Sequence, residues 1–269
     1  APIVNAIRVN GHYYAAPVNI HMPSWFWYSK PAFAKAGITS EPKSPDELFA
    51  ALDKLKAAGL VPLALGGQGW QENITFSGWL AQAGGPELYL KFFKDRDAAT
   101  INTPAFRKVL TDLKRLKSYT DAGSPGRNWN DATSMLITGK AGVQIMGDWA
   151  KGEFNNAKQV AGKDYGCFPG FGPKSPYIIA GDVFVFPRTK DANAIKAQQM
   201  LATSMTSIGT QVAFNNKKGS IPIRTDVDVS QMDQCAQTGL AIMKDKSRHL
   251  ANPDMLLPPD VAGAVQDTI

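Results

Sequence analysis

The sequence predicts a layered α/β fold, and three observations carry that reading. Short apolar runs such as LVPLAL, AGVQIM and DVFVFP have the length of strands. Longer stretches between them repeat apolar residues at helical spacing, and glycine, proline and capping residues mark the changes from one pattern to the other. Strands and helices that alternate in this way pack as sheets covered by helices.

Taken in order, VNGHYYAAPVNI reads as a glycine-turned hairpin running into a strand, with little before it to form the opening unit of a domain. Ser44, Pro45 and Glu47 supply an N-cap, a first-turn proline and a capping-box acid. Leu48, Leu52 and Leu55 then recur at helical spacing until Gly59 ends the helix, and LVPLAL follows as a buried strand. Thr103 and Pro104 begin a second helix in the same manner, with Phe106, Val109, Leu110, Leu113 and Leu116 along one stripe. Arg107, Lys108, Lys114 and Arg115 on its other face read as a solvated surface. NDATSMLITGK predicts a short helix, AGVQIM a strand, DVFVFP a further apolar strand and DANAIKAQQMLATSMT a helix. The sequence contains neither an internal repeat nor a low-complexity linker.

Composition narrows the functional classes. The 269 residues, 44% hydrophobic and 19% charged, can bury a large core and would divide into more than one domain. No window approaches the ~18 uninterrupted apolar residues of a membrane-spanning helix. The first residues lack the basic start and apolar block of a signal peptide, which predicts a chain either never targeted or already processed. Lys plus Arg number 29 against 23 Asp plus Glu, but the cations are spread along the chain, which argues against a nucleic-acid partner. Cys167 and Cys235 fit no metal spacing; from the residues alone they are one disulfide or two buried thiols.

Catalytic constellations are thin. His12, His21 and His249 form no HExxH pair, and no GxSxG elbow, GxxxxGK[ST] loop or GxGxxG turn is present. For His12 and His249 a structural role outweighs a general-base role. Scattered carboxylates leave a glycoside hydrolase or lectin-like fragment as the alternative reading. The tryptophans carry more information. GGQGWQE, GRNWND and QIMGDWAKGEF each set an indole beside an amide or acid: Gln68 with Trp70, Asn128 with Trp129, Asp148 with Trp149. A sugar ring requires that pairing, because its C–H face packs on an aromatic plate while its hydroxyls must be matched donor for acceptor. Trp27 and Trp79, inside apolar stretches, read instead as core. Trp149 would follow a turn on Gly147, with Asp148 fixing that turn through local hydrogen bonds.

The segments PVNIHMPSWFWYSKPAFAKAGI, GGQGWQE, WNDATSMLITGKAGVQIMGDWAKGEF, DVFVFP and FNNKKGSIPIRTDVD, in this order, resemble the extracellular solute-binding proteins of ABC sugar importers. They are most similar to the glucose/mannose-binding branch of Gram-negative periplasms. The resemblance implies a two-lobed α/β periplasmic binding protein fold with hinge crossings. Residues 1–16 would be the tail of an incomplete N-terminal lobe and 17–165 the first part of the C-terminal lobe. Residues 166–210 would return to the N-terminal lobe, and 211–269 would complete the C-terminal one. The resemblance also implies a chain shortened at its N-terminus and slightly at its C-terminus.

By position, Trp129 and Trp149 match tryptophans that line the sugar, Asp182 an acid that receives its hydroxyls, and Lys218 a lysine donor. Asn19, His21 and Gln68 are further candidates, for which orienting the cleft loops is an equal role. Pro253 stands where the family carries a histidine, and His249 lies four residues upstream. Cys167 and Cys235 match cysteines that are paired in this branch, which suits an oxidising periplasm. The expected ligand is a monosaccharide, glucose foremost, with no cofactor, metal or catalytic residue. The expected partners are an ABC permease and a chemoreceptor or sensor ectodomain, for a monomeric protein.

Overall fold

The computed structural model describes residues 3, 4 and 7–269; residues 1, 2, 5 and 6 of the expected N-terminal tail lie outside the described residues. The hairpin is formed by β1 (Arg8–Val9) and β2 (His12–Tyr13), paired antiparallel. Asn10 and Gly11 join them with φ of 50° and 83°. Two consecutive positive φ values match the right-handed twist of the flanking strands, which is why an Asn-Gly pair sits there. The chain continues into β3 (Ala15–Pro17).

A four-stranded sheet forms the main body. Its strands are β4 (Trp25–Ser29), β5 (Val61–Leu63), β6 (Ala141–Met146) and β7 (Tyr165–Phe168), in the spatial order β5-β6-β4-β7. β6 runs parallel to β5 and antiparallel to β4. Every residue of β4 and β6 is buried, because helices cover both faces. One apolar cluster gathers Phe26, Leu52, Phe76, Trp79 and Tyr89; a second gathers Trp25, Trp27, Phe154, Tyr165 and Tyr177.

The expected helix boundaries hold where capping chemistry defines them. In Pro45–Ala57 the Glu47 amide donates to Ser44 Oγ at 3.1 Å, while the Glu47 carboxylate reaches the Lys43 amide at 2.8 Å, one residue before the cap. In Pro104–Lys117 the Phe106 amide donates to Thr103 Oγ1 at 3.2 Å. Phe106, Val109 and Leu116 are buried, but Leu110 of the expected stripe is exposed. The cationic face is not wholly solvated either: the Arg115 guanidinium lies 4.1 Å from the centre of the Phe49 ring. In GGQGWQE the last four residues open the helix Gly69–Trp79, with Gln68 at its N-terminal boundary.

β8 (Tyr177–Ile179) pairs in parallel with β10 (His249–Ala251), and β9 (Val183–Val185) pairs antiparallel with β3. These pairings displace one expected crossing. Residues 165–168 belong to the main sheet through β4, and 177–179 pair with a strand from the final part of the chain. Only at β9 does the chain join β3, so the change of partner falls between Ile179 and Val183 and not near Gly166. Cys167 of β7 and Cys235 of the helix Gln234–Met243 form a disulfide, with Cα atoms 6.0 Å apart. His249 is occupied structurally, its Nε2 lying 3.1 Å from the Ile242 carbonyl, and Pro253 is the buried first residue of the helix Pro253–Leu256.

Candidate functional site

Three stretches of chain run side by side between the main body and the β3/β9 ribbon. Val18 N donates to the Asp182 carbonyl at 3.0 Å, and His21 and Ala180 exchange backbone bonds of 2.9 and 2.8 Å. Ile20 and Ile221 exchange bonds of 2.8 and 2.9 Å. Side-chain amides reinforce the junction: Gln211 Nε2 and Asn215 Nδ2 both donate to the Val18 carbonyl, at 3.0 and 3.2 Å, and Ser220 Oγ donates to Asn215 Oδ1 at 2.7 Å. Asn19, Gln211, Asn215 and Ser220 are fully buried, so their mutual satisfaction is what makes the burial tolerable.

Five of the seven expected ligand residues meet here. Asn19 donates to Asp182 Oδ2 at 2.8 Å and accepts from the Asp182 amide at 2.8 Å, fixing both ends of that residue. Lys218 Nζ, at the end of the helix Ile208–Lys218, lies 2.9 Å from Asp182 Oδ2. His21 Nε2 lies 3.4 Å from Asp182 Oδ1. The hydrogen bond from His21, followed by those from Lys218 and Asn19, holds the Asp182 carboxyl far below the ordinary carboxylate range against its partial desolvation. The side chain is still 48% exposed, so part of its acceptor capacity faces solvent. Beside it lies Trp149, its ring 5.3 Å from that of His21 and 6.0 Å from the Lys218 ammonium.

Gln68 and Trp129 do not join this contact. Gln68 Oε1 accepts from Trp70 Nε1 at 2.9 Å and from Gln71 Nε2 at 2.8 Å, and its Nε2 donates to Asn128 Oδ1 at 3.1 Å. Both lone pairs of its carbonyl are therefore engaged, and its role is to orient Trp70. Trp129 begins the helix Trp129–Ile137, its half-buried ring against the second apolar cluster. Its carbonyl accepts from Gln144 Nε2 and Thr133 Oγ1, both at 3.0 Å.

Three further residues shape these surroundings, of which the sequence pattern had singled out only Trp70. Trp70 lies 6.4 Å from Trp149 and walls that side; the GGQGWQE signal was present. Gln144 is a fully buried amide inside an apolar strand, and that misfit is itself the signal that it holds the start of the preceding helix. Lys151, 2% exposed, is paired with Asp233 at 3.0 Å. Asp148 differs from expectation: its Oδ2 accepts from the Met22 amide at 3.1 Å, a contact across 126 residues rather than a local one. Burial pushes its carboxyl up to about 6, against the pull of His21, Lys218 and Lys151.

The arrangement offers a half-exposed acid with fixed orientation, a cationic donor and an apolar plate. Comparison with known proteins agrees in kind. The family model for bacterial extracellular solute-binding proteins matches residues 1–204. A protein of Mesorhizobium japonicum named probable sugar-binding periplasmic protein is 43% identical over 265 residues, covering 96% of this chain and 63% of that one. A Brucella suis protein of the same name is 39% identical over 245 residues, covering 91% and 58%. The chain thus spans less than two thirds of the length of these relatives. Among solved structures, a chitin oligosaccharide binding protein superposes with a TM-score of 0.79 at 24% identity. The solute receptor AcbH, described as preferring β-D-galactopyranose, superposes at 0.80 and 22%. In both cases the match covers 98% of this chain and 68% of the other. The chain belongs to the bacterial extracellular solute-binding protein family and has its two-lobed α/β fold.

Proposed function

We propose that this member of the family binds a monosaccharide, glucose foremost, in the cleft between its lobes and delivers it to the permease of an ABC importer in the periplasm. The supporting observation is the Asp182 carboxylate, held by Asn19, His21 and Lys218 beside the indole of Trp149. Charge-assisted bonds to hydroxyls and a stacking plate are the two demands of a sugar ring. The relatives named sugar-binding periplasmic proteins support both ligand class and compartment, and the disulfide suits an oxidising space. Trp129, in the same lobe as Trp149, offers the sugar a second plate.

The mechanism is a shift of population. The sugar touches groups on both sides of the junction, stabilises the closed arrangement by those differential contacts, and the permease recognises that arrangement. No bond is broken and no cofactor takes part. The crossings lie near Pro17, Gly181 and Gln211, the protein acts as a monomer, and a sensor ectodomain reads the same closed state. Hydrolysis would need an acid and a base flanking one bond. Asp182 is instead ion-paired with Lys218, and Asp148 is committed to a backbone amide.

Titration calorimetry of the ligand-stripped protein with D-glucose, D-galactose, D-mannose and maltose tests the reading. We expect one-to-one binding of glucose, weakened at least ~30-fold by Trp149→Ala, the scale of losing one stacked aromatic contact. Heat with another sugar alone would replace glucose as ligand. No heat with any of the four, or release of reducing sugar over time, would overturn the reading.

A further inference from the structure

Gly147 is a glycine that its own backbone does not require. Among the described residues eight other glycines have positive φ, the region that excludes most side chains, but Gly147 is not one of them. What excludes a side chain at 147 is Trp149. A Cβ built there would meet Cε3, Cζ3 and Cη2 of the indole, each closer than 3.0 Å. An atom approaching a ring in its plane meets one edge carbon well before its neighbours. Nearly equal approach to three consecutive carbons sets the Cβ over the face of the six-membered ring. One face of Trp149 is therefore seated on the main chain at residue 147, and only the opposite face is left for a ligand. His21, Trp70 and Lys218 surround the ring at 5.3, 6.4 and 6.0 Å.

We propose that Gly147 is a positioning residue for the ligand, its missing side chain setting the height of the Trp149 plate relative to the Asp182–Lys218 pair. Carbon atoms in contact rest roughly 3.5–4.0 Å apart, so one methyl group at 147 lifts the indole by on the order of 1 Å. A sugar ring stacked on the lifted plate no longer has its hydroxyls at hydrogen-bond distance from Asp182 and Lys218, since those bonds weaken over a few tenths of an ångström. This deepens the sugar-binding reading and rests on it for its affinity measurements, but the seat of the indole is a property of the unliganded protein.

The test is a double-mutant cycle on the full chain with Gly147→Ala, Trp149→Phe and both together, titrated with whichever of the four sugars the unsubstituted protein binds. Phenylalanine lacks the fused ring that covers residue 147. We expect Gly147→Ala to weaken binding at least ~20-fold when Trp149 is present and less than ~3-fold in the Trp149→Phe background, the difference being the coupling that the cycle isolates. Equal effects in the two backgrounds, or no effect in either, would overturn the proposal. Near-ultraviolet circular dichroism supplies an arm independent of any sugar. The Trp149 contribution, taken as the difference between each protein that keeps Trp149 and its counterpart carrying Trp149→Phe, should change when Ala replaces Gly147. An unchanged difference spectrum overturns the proposal whether or not sugar binds. A changed one with no sugar bound sustains the seat while the sugar reading fails. Should Gly147→Ala alone fail to fold, recovery of a cooperative transition in the double variant supports the contact, and failure of both overturns it.

Discussion

The main sheet and the β3/β9 ribbon are written in the same letters but occupy different surroundings. AGVQIM is buried at all six positions of β6, whereas in DVFVFP Phe184 and Val185 of β9 are exposed. The helix Pro45–Ala57 buries five side chains against the sheet; the helix Ala192–Met205, similarly apolar in spacing, buries none. An apolar pattern states which face can be buried. Whether it is buried depends on cover supplied by other elements, and the energy follows the cover rather than the pattern.

Substitutions should grade accordingly. The largest effect belongs to the body: Trp79→Ala, at a side chain with no exposed surface, should cost about 4 kcal/mol by urea denaturation. A loss below about 1 kcal/mol would mean that the helices around the sheet repack freely. Replacing Cys167 and Cys235 together by Ala opens a cross-link spanning 68 residues and should cost about 3 kcal/mol in the same measurement.

Asp148 stands at the junction between the two regions, and its effect depends on pH. Its folded pKa of about 6 lies above the ordinary value of 3.8. The folded state therefore binds a proton more tightly than the unfolded one. The associated stability is complete below about pH 4, is lost as pH rises through about 6, and stays lost above. Asp148→Asn should then stabilise the protein by about 2 kcal/mol at about pH 7.5 and by nothing at about pH 4. An equal gain at both values would assign the effect to packing rather than charge. Asp182 has the opposite sign: its depressed carboxyl favours the folded state above the ordinary pKa, and that contribution falls away as pH drops below it. The smallest effect belongs to the ribbon, where Val185→Thr should change stability by less than about 0.5 kcal/mol.

Much of this was legible in the residues, and the exceptions are instructive. Ser44, Thr103 and the Asn10-Gly11 pair act within a few positions of themselves, so their helix starts and turn could be assigned from sequence. Gln68 was legible as polar and near an indole, but its commitment to Trp70, Gln71 and Asn128 was not. The same holds for Asp148, whose partner lies 126 residues away.

By itself the sequence determined the alternation of elements, their caps, and which residue types could meet a sugar, because those are properties of spacing and of local chemistry. Only the tertiary structure decided that Asn19 and His21 would face an aspartate far along the chain at Asp182, that Lys218 would close on it, and that Trp149 would settle on the bare backbone of Gly147. Such meetings depend on three stretches of chain bonded edge to edge, and pairing between distant segments leaves no periodic trace in the segments it joins.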